Sequence, residues 1–245
     1  MRVAVVENMK NTGLGALARA LEEAGAEIEW FRVWRDGSLP QDISGHDALV
    51  VLGGEQSALD DETHPHLPEL VRLTRRFGDA GKAVLGICLG SQILARAYGA
   101  DNLLGAAREF GWHSIGVTGE GRSDPLLSDV GDEFTIFQWH ADTFSLPEGA
   151  VCLATSPVAE NQAFRIGRAV YGTQFHFEAD TEVVRQWKGE FPGTIERIAP
   201  GWLENYDELA ARHGAAADAA GLAIARAWVS LIERQEAGLL LQATA

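Results

Sequence analysis

The sequence predicts an α/β fold in which helices flank an open, mostly parallel sheet. In the first hundred residues, short apolar runs alternate with segments of helical period, the pattern of repeated strand–helix–strand units. Short β-like runs follow from about residue 111 to residue 174, and helical periodicity returns after His176. We therefore expect the parallel sheet to carry a small antiparallel β addition and to be followed by C-terminal helices.

The first half of the chain supplies the parallel strands. Leu14, Leu17 and Leu21 recur at helical spacing before Gly25, which is typical of a helix that ends at a glycine. The strands predicted here are Arg2–Val6, Glu27–Phe31, Ala48–Leu52 and Ala83–Ile87. The helices predicted between and after them are Gly13–Ala24, a segment containing Leu67, Leu70, Val71 and Phe77, and Ser91 to about Tyr98.

The second half predicts the antiparallel addition and the closing helices. Ile166-Gly167-Arg168 indicates a hairpin turn. The β-like runs are Thr135–Gln138, Val151–Ala154, Ala163–Ile166 and Ala169–Tyr171, and the helical segments are Thr181–Lys188, Trp202–Arg212 and about Ala215–Glu233. We expect the final AGLLLQATA to fray or to pack against a neighbour.

Length and hydropathy limit the organisation of the protein. A chain of 245 residues suits one well-buried domain, so we predict a single domain over 1–245, with a core at about 1–180 and a helical extension at about 181–245. No apolar run reaches the length of a membrane span, and the N-terminal MRVAVVEN is too short for a signal-peptide core. These features predict a cytoplasmic protein without a membrane partner.

Charge and composition exclude several kinds of site. The net charge is -15, so no broad cationic surface is available to bind nucleic acid. Two cysteines favour neither a disulfide nor a cysteine-only zinc cluster, and the scattered histidines lack partners at a recognised metal spacing. We predict no metal site and no cofactor.

The segment Gly86-Ile87-Cys88-Leu89-Gly90 carries the first sign of chemistry. It places a cysteine between two glycines, directly after an apolar strand and directly before a helix, which is the pattern of a nucleophile elbow. The glycines have a steric reason, because side chains would collide in so tight a turn. The start of the following helix favours the thiolate. Cys152 lies in an apolar strand without these features and is interpreted as a buried structural thiol.

A thiolate that attacks an amide needs a base that can later protonate the departing amine. His176 follows an apolar strand, and histidine has the pKa that suits both roles. If that strand continues, period-2 spacing places Glu178 on the same side, where it would orient the imidazole and stabilise its cation. Taken alone, a His-x-Glu pair at a strand end is more often a surface ion pair than part of a triad.

An ordered set of motifs makes the chain resemble the class I glutamine amidotransferases, in particular the stand-alone group similar to the glutaminase domain of GMP synthase. The likeness runs from about Val3 to Glu178 and implies a flavodoxin-like fold. The motifs are Gly53-Gly54 after the third strand, GICLGSQ from Gly86 to Gln92, Arg108-Glu109-Phe110-Gly111-Trp112, His140-Ala141-Asp142, and QFHFE from Gln174.

The resemblance implies roles for individual residues. Cys88, His176 and Glu178 would be the catalytic triad, and the backbone N–H groups of Gly54 and Leu89 would form the oxyanion hole. Because this role uses main-chain donors, a glycine at position 54 is free to take backbone conformations that other residues avoid. The residues implied to hold the amino-acid end of glutamine are Gln92, Trp139, His140, Ala141 and Asp142.

Two positions depart from the family pattern. Proline is common after the two glycines and between the catalytic His and Glu, whereas this chain has Glu55 and Phe177. Proline would stiffen each loop. Glu55 adds a negative charge where a substrate carboxylate would approach, which puts the usual preference for plain glutamine in question.

Three functions remain open at this level. The leading one is hydrolysis of the glutamine side-chain amide, with ammonia accepted by a separate synthetase or by no partner, since the chain lacks a phosphate-binding Gly-rich Lys motif. A γ-glutamyl peptide or amide hydrolase would use the same triad, and a silent regulatory or redox-sensing protein would keep the fold. Homo-oligomer formation is also left open, and the seven tryptophans are interpreted as residues of the core or of contacts between subunits.

Overall fold

The computed structural model describes residues 1–233, so the expectation for AGLLLQATA concerns residues outside the described part of the chain. Within it lie eleven strands and eight helices. The strands are β1 (Arg2–Glu7), β2 (Glu27–Arg32), β3 (Ala48–Val51), β4 (Ala83–Ile87), β5 (Asn102–Leu103), β6 (Glu109–Val117), β7 (Glu133–His140), β8 (Thr143–Phe144), β9 (Val151–Thr155), β10 (Ala163–Ile166) and β11 (Val170–Thr173). The helices are α1 (Gly15–Glu23), α2 (Val33–Asp36), α3 (Leu67–Asp79), α4 (Leu89–Ala97), α5 (Gly119–Ser123), α6 (Thr181–Glu190), α7 (Pro192–Ile198) and α8 (Tyr206–Ser230).

Nine strands form one mixed sheet in the order β2-β1-β3-β4-β11-β10-β9-β6-β7. The first five are parallel neighbours, and β10, β9, β6 and β7 continue the sheet with antiparallel pairings. The predicted α/β class, with its parallel sheet and antiparallel addition, is confirmed. The predicted hairpin turn is also confirmed, since Ile166 pairs with Val170 across it.

Apolar side chains fill both faces of the sheet. One cluster joins β1, β3 and β4 to α1 and α8 through residues such as Val5, Leu17 and Trp228. The other joins the opposite face to α3 and α4 through residues such as Leu70 and Ile93. Strands β3 and β4 are buried on both faces, which explains why their sequences are continuous apolar runs instead of alternating ones.

The C-terminal helices differ from the prediction. Residues 202–205 lie in turns, and a single helix, α8, replaces the two segments predicted as Trp202–Arg212 and Ala215–Glu233. Gly214 does not interrupt α8, because its missing side chain leaves room for Thr181 of α6. The short helix α7 was not predicted.

Strand β6 was not predicted either. Its sequence alternates poorly, with Gly111 and Gly116 inside it, so pairing with β7 over eight residue pairs decides its conformation. No helix in residues 1–233 combines the length and the hydropathy that a membrane span requires.

Candidate active site

Cys88 lies at the sharp junction between β4 and α4. Its backbone has φ 53° and ψ -110°, a region that residues with side chains seldom occupy. A Cβ atom on Gly86 would lie 2.3 Å from the Gly90 carbonyl oxygen. A Cβ atom on Gly90 would lie 1.9 Å from the Val51 carbonyl oxygen. The turn therefore requires both glycines.

Hydrogen bonds to the end of β11 and to the start of α4 hold the backbone of Cys88. The Cys88 N–H donates to the Thr173 carbonyl at the end of β11 at 2.8 Å, and the Ser91 hydroxyl donates to the Cys88 carbonyl at 2.7 Å. The Cys88 sulfur lies 3.5 Å from the Trp139 carbonyl oxygen. The Ser91 and Gln92 N–H groups donate to the Cys88 carbonyl at 3.0 and 3.2 Å, so α4 starts directly at the cysteine and its positive dipole end lies at the elbow.

His176 and Glu178 come together without a continuous strand. Strand β11 ends at Thr173, and His176 is held instead by a backbone hydrogen bond to Phe137 of 2.9 Å. Its Nδ1 nevertheless lies 2.7 Å from Glu178 Oε1. The proximity predicted from period-2 spacing is present, although the strand on which that prediction depended has already ended.

The electrostatic environment of His176 favours the imidazolium. Burial opposes its charge, but attraction to Glu178 and to the Cys88 sulfur outweighs burial and raises the pKa of His176 to about 10. The ring also packs edge-on against Trp187, with 5.2 Å between the ring centroids. The geometry therefore brings a sulfur, an imidazole and a carboxylate into one line of contacts.

Two glycines allow helices to approach the segment that carries His176 and Glu178. The Glu178 carbonyl accepts a hydrogen bond of 2.9 Å from the Ala16 N–H, and a Cβ on Gly15 would lie 2.1 Å from that carbonyl oxygen. A Cβ on Gly221 of α8 would lie 2.3 Å from the Phe177 carbonyl oxygen. Helices α1 and α8 therefore contact the backbone of residues 177 and 178 directly.

A cavity of about 410 Å³ opens above Cys88. It lies at the carboxyl ends of β3, β4 and β11, where sheets of this kind bind their ligands. Its lining includes every residue of the predicted site except Glu178, which lies behind His176: Gly54, Cys88, Leu89, Gln92, Trp139, His140, Ala141, Asp142 and His176.

The two predicted oxyanion-hole residues lie side by side in this cavity. A Cβ on Gly54 would lie 2.8 Å from Leu89 Cδ2, so the glycine is needed for close packing. Gly54 does not use the left-handed region that is open to glycine. Gly53 plays a similar steric part, since its Cβ would lie 3.2 Å from His176 Cε1.

The polar residues among those implied to hold glutamine, Gln92, His140 and Asp142, form one wall of the cavity. The Gln92 amide nitrogen lies 3.3 Å from the Asp142 carbonyl oxygen and 3.2 Å from Gln174 Oε1. Asp142 Oδ1 accepts from the Gly105 N–H at 2.7 Å. The His140 side chain contacts buried groups, and its Nδ1 lies 3.1 Å from the Asp142 carbonyl oxygen.

Glu109 is a buried part of this wall that sequence analysis did not assign. Its Oε2 lies 3.2 Å from His140 Nε2 and accepts from Gln162 at 2.6 Å. Burial alone would raise the pKa of Glu109, but His140 and Ser156 together lower it below its ordinary value. The sequence signal was the position of Glu109 in the Arg108–Trp112 motif.

The far wall comes from the C-terminal helices, for which no part in the site was predicted. Helices α6 and α7, with Phe191 between them, contribute to the cavity lining Trp187, Phe191, Thr194, Arg197 and Ile198. Phe191 separates the two helices, and the available signal was Pro192, which occupies the first position of α7. In residues 1–233, no three His, Cys, Asp or Glu side chains cluster as the ligands of a metal ion would.

Comparison with known proteins identifies the family. The sequence model of the family described as "Glutamine amidotransferase class-I" matches residues 5–186. The chain belongs to the class I glutamine amidotransferases. This membership confirms the resemblance drawn from the ordered motifs.

Curated relatives of this glutamine amidotransferase carry different names. It is 34% identical to the glutamine amidotransferase-like protein YfeJ of Salmonella typhimurium, over 75% of this chain and 78% of the relative. It is 29% identical to a glutamine-hydrolyzing GMP synthase subunit of Thermoplasma acidophilum, over 66% and 76%. It is 31% identical to gamma-glutamyl peptidase 3 of Arabidopsis thaliana, over 66% and 67%.

Solved structures of similar proteins extend over almost the whole chain. A glutamine amidotransferase from Thermotoga maritima superposes with a TM-score of 0.84 at 25% identity, covering 96% of this chain and 99% of that one. A glutamine amidotransferase from Methylobacillus flagellatus gives a TM-score of 0.85 at 28% identity, covering 96% of both chains. The class I fold is therefore shown, including the part of the chain beyond the family match.

Proposed function

We propose that this glutamine amidotransferase hydrolyses the side-chain amide of glutamine through a γ-glutamyl thioester on Cys88. The observation that carries the proposal is the line of contacts from Cys88 to His176 to Glu178, in which Cys88 and His176 line a cavity at the sheet edge. Glu178 holds the imidazole and stabilises its cation. The backbone N–H groups of Gly54 and Leu89 stabilise the oxyanion.

In the proposed cycle, His176 starts as the imidazolium and is the imidazolium again at the end. The Cys88 thiolate attacks the amide carbon, and the His176 imidazolium donates its proton to the nitrogen as the C–N bond breaks. Ammonia leaves, and neutral His176 then takes a proton from the water that attacks the thioester. The C–S bond breaks, glutamate leaves, and the thiolate and imidazolium are restored.

The substrate's amino-acid end lies toward Gln92 and Asp142 in this proposal. Arg108 lines the same side of the cavity, and the Ala107 N–H donates to the Ala141 carbonyl at 3.0 Å, which ties the two segments together. Within residues 1–233 no carboxylate forms an ion pair with Arg108. Its guanidinium is therefore available to the substrate carboxylate.

The size of the cavity favours a second candidate, hydrolysis of larger γ-glutamyl amides by the same residues. Glutamine would occupy only the part nearest Cys88, and the lining continues past His176 to α7. The relative named gamma-glutamyl peptidase is consistent with this candidate. The relatives named as GMP synthase subunits favour instead a separate synthetase that accepts ammonia.

A direct test is to incubate the purified chain with glutamine and to measure glutamate and ammonia together. We expect equal release of both products, and a γ-glutamyl adduct on the Cys88 peptide after rapid acid quenching and mass spectrometry. Release without that adduct, or undiminished release by Cys88→Ala, would contradict the thioester route.

A further inference from the structure

The cavity extends beyond the catalytic residues on the side of His176. The Trp187 ring lies edge-on to the His176 ring at 5.2 Å, the Trp139 ring lies 5.5 Å from Trp187, and the Phe191 ring lies 5.7 Å from Trp139. Trp187 is fixed in place by a 3.0 Å hydrogen bond from its indole N–H to the Asn11 carbonyl. These rings form a continuous aromatic wall that begins at the proposed proton donor.

Beyond this wall, helix α7 places a cation at the cavity. The Arg197 side chain lines the cavity and donates to Thr194 Oγ1 at 3.3 Å. Its guanidinium forms no ion pair with any carboxylate in the described part of the chain. In a protein of net charge -15, where most arginines pair with Asp or Glu, this cation is left for a ligand.

The direction of proton transfer indicates which part of a substrate lies against the aromatic wall. Because His176 protonates the leaving nitrogen, the leaving group must lie on the His176 side of the scissile carbonyl. The glutamyl end then points toward Gln92 and Asp142. Ammonia is too small to use an aromatic wall and an arginine.

We propose that Trp187, Phe191 and Arg197 form a leaving-group subsite for γ-glutamyl amino acids whose second residue carries an apolar or aromatic side chain. The rings contact that side chain, and Arg197 binds its α-carboxylate. The subsite rests on the thioester chemistry proposed above. The amide C–N bond breaks as the C–S bond forms, His176 gives its proton to the departing amino group, and water then releases glutamate.

The position of the subsite in the chain supports a role in specificity. Trp187, Phe191 and Arg197 all follow residue 186, where the family match ends, whereas Cys88 and His176 lie inside it. The proposed catalytic residues and the three subsite residues therefore come from different parts of the sequence.

The experiment compares three substrates that differ only in the leaving group: γ-glutamyl-phenylalanine, γ-glutamyl-phenethylamide, which lacks the carboxylate, and glutamine. The enzymes are the wild type, Arg197→Gln, and Arg212→Gln as a matched control. Arg212 is an exposed arginine on α8 that pairs with Glu208 and does not line the cavity.

We expect the wild type to give a kcat/KM for γ-glutamyl-phenylalanine roughly tenfold above that for glutamine, because the buried ring adds contacts that ammonia cannot make. In Arg197→Gln, the kcat/KM for γ-glutamyl-phenylalanine should fall about fivefold relative to the phenethylamide, the size of an exposed ion pair. Arg212→Gln should leave that ratio unchanged. The subsite would be overturned if the wild type did not prefer γ-glutamyl-phenylalanine over glutamine. It would also be overturned if Arg197→Gln and Arg212→Gln gave the same ratio of kcat/KM for γ-glutamyl-phenylalanine to that for the phenethylamide.

Failure of the proposed thioester chemistry would give a different result from failure of the subsite. If the wild type turns over none of the three substrates, the thioester chemistry is wrong, and the subsite is then decided by calorimetric binding. Cys88→Ala should bind γ-glutamyl-phenylalanine more tightly than the phenethylamide, and adding Arg197→Gln should remove the difference. Equal binding of the two compounds to Cys88→Ala would overturn the subsite by itself.

Discussion

Glu178 Oε1 lies 2.7 Å from His176 Nδ1, and both residues follow the end of β11 in a segment without regular strand structure. Cys88 follows β4, the parallel neighbour of β11, so the nucleophile and the base come from the ends of adjacent strands. Gly15 and Gly221 allow α1 and α8 to touch the backbone of residues 177 and 178. The geometry of the site therefore depends on packing from both ends of the chain.

The two cysteines should differ sharply in reactivity. Burial is the main cause that raises the pKa of the Cys152 thiol, whereas Cys88 faces His176 at the start of α4. We expect a diazo-ketone analogue of glutamine to label Cys88 far faster than Cys152, as measured by peptide mass mapping over time. Cys152→Ser should keep both labelling and turnover; equal labelling of the two cysteines would remove Cys88 from its role.

Removal of the base should cost more than weakening its orientation. We expect His176→Ala to lower kcat by about 10³-fold or more, since general acid–base catalysis contributes on that scale. Glu178→Gln should retain more activity, because an amide oxygen can still accept from Nδ1. Steady-state kinetics checks the ranking, with Glu182→Gln on α6 as an exposed control, and a reversed ranking would require new roles for the two residues.

The raised pKa of His176 predicts how stability changes with pH. A group whose pKa is raised on folding stabilises the protein fully below its unfolded pKa, about 6.5, and loses that contribution as pH rises through its folded pKa. Burial lowers the pKa of His176, while Glu178 and Cys88 raise it to about 10. The stability advantage of the wild type over Glu178→Gln should therefore be largest below about pH 6.5 and shrink toward about pH 10.

Urea unfolding at a series of pH values measures this difference directly. His176→Ala and His176→Ala/Glu178→Gln provide the matched pair without the titrating imidazole, and we expect the difference between them to stay flat over the same range. A difference that grows with pH would mean that His176 is neutral in the folded protein.

Glu55 should disfavour substrates with a free carboxylate near the cavity mouth. It is exposed and lines the cavity next to Gly54. Since solvent screens an exposed charge, we expect Glu55→Gln to raise kcat/KM for glutamine about fivefold relative to a γ-glutamyl amide whose α-carboxylate is blocked as a neutral amide. Glu62→Gln, an exposed carboxylate outside the cavity lining, is the control. An unchanged ratio would show that the Glu55 charge does not reach the substrate.

Gly221 should be essential for packing, although it lies in the middle of a helix. In Gly221→Ala the new methyl group would lie 2.3 Å from the Phe177 carbonyl oxygen, whereas in Gly189→Ala of α6 it would meet no atom within 4 Å. We expect Gly221→Ala to lose about 1–3 kcal/mol in the free energy of unfolding, a typical cost of overpacking. Gly189→Ala should gain up to about 1 kcal/mol from helix propensity. Chemical unfolding compares them, and similar values for the two variants would contradict the packing role of Gly221.

The sequence predicted the parallel half of the fold well because local pattern and tertiary context agree there. Strand β4 has the predicted bounds, and β1, β2 and β3 differ by one residue at most. Strand β6 was missed because Gly111 and Gly116 break its alternation, and its conformation depends on β7. Helix α8 was divided wrongly at His213-Gly214, where contact with Thr181 favours a continuous helix with a glycine inside it.

By itself, the sequence determined the class of fold and the strand–turn–helix pattern at Cys88. These features are local, since glycine spacing and apolar runs express the conformational limits of a few neighbouring residues. Only the tertiary structure decided that β11 lies beside β4, which brings His176 to the Cys88 sulfur. It also decided that α6 and α7 close the far side of the cavity with Trp187 and Arg197. Such contacts join residues about a hundred positions apart, and they form because burying apolar faces stabilises the whole sheet and its helices together.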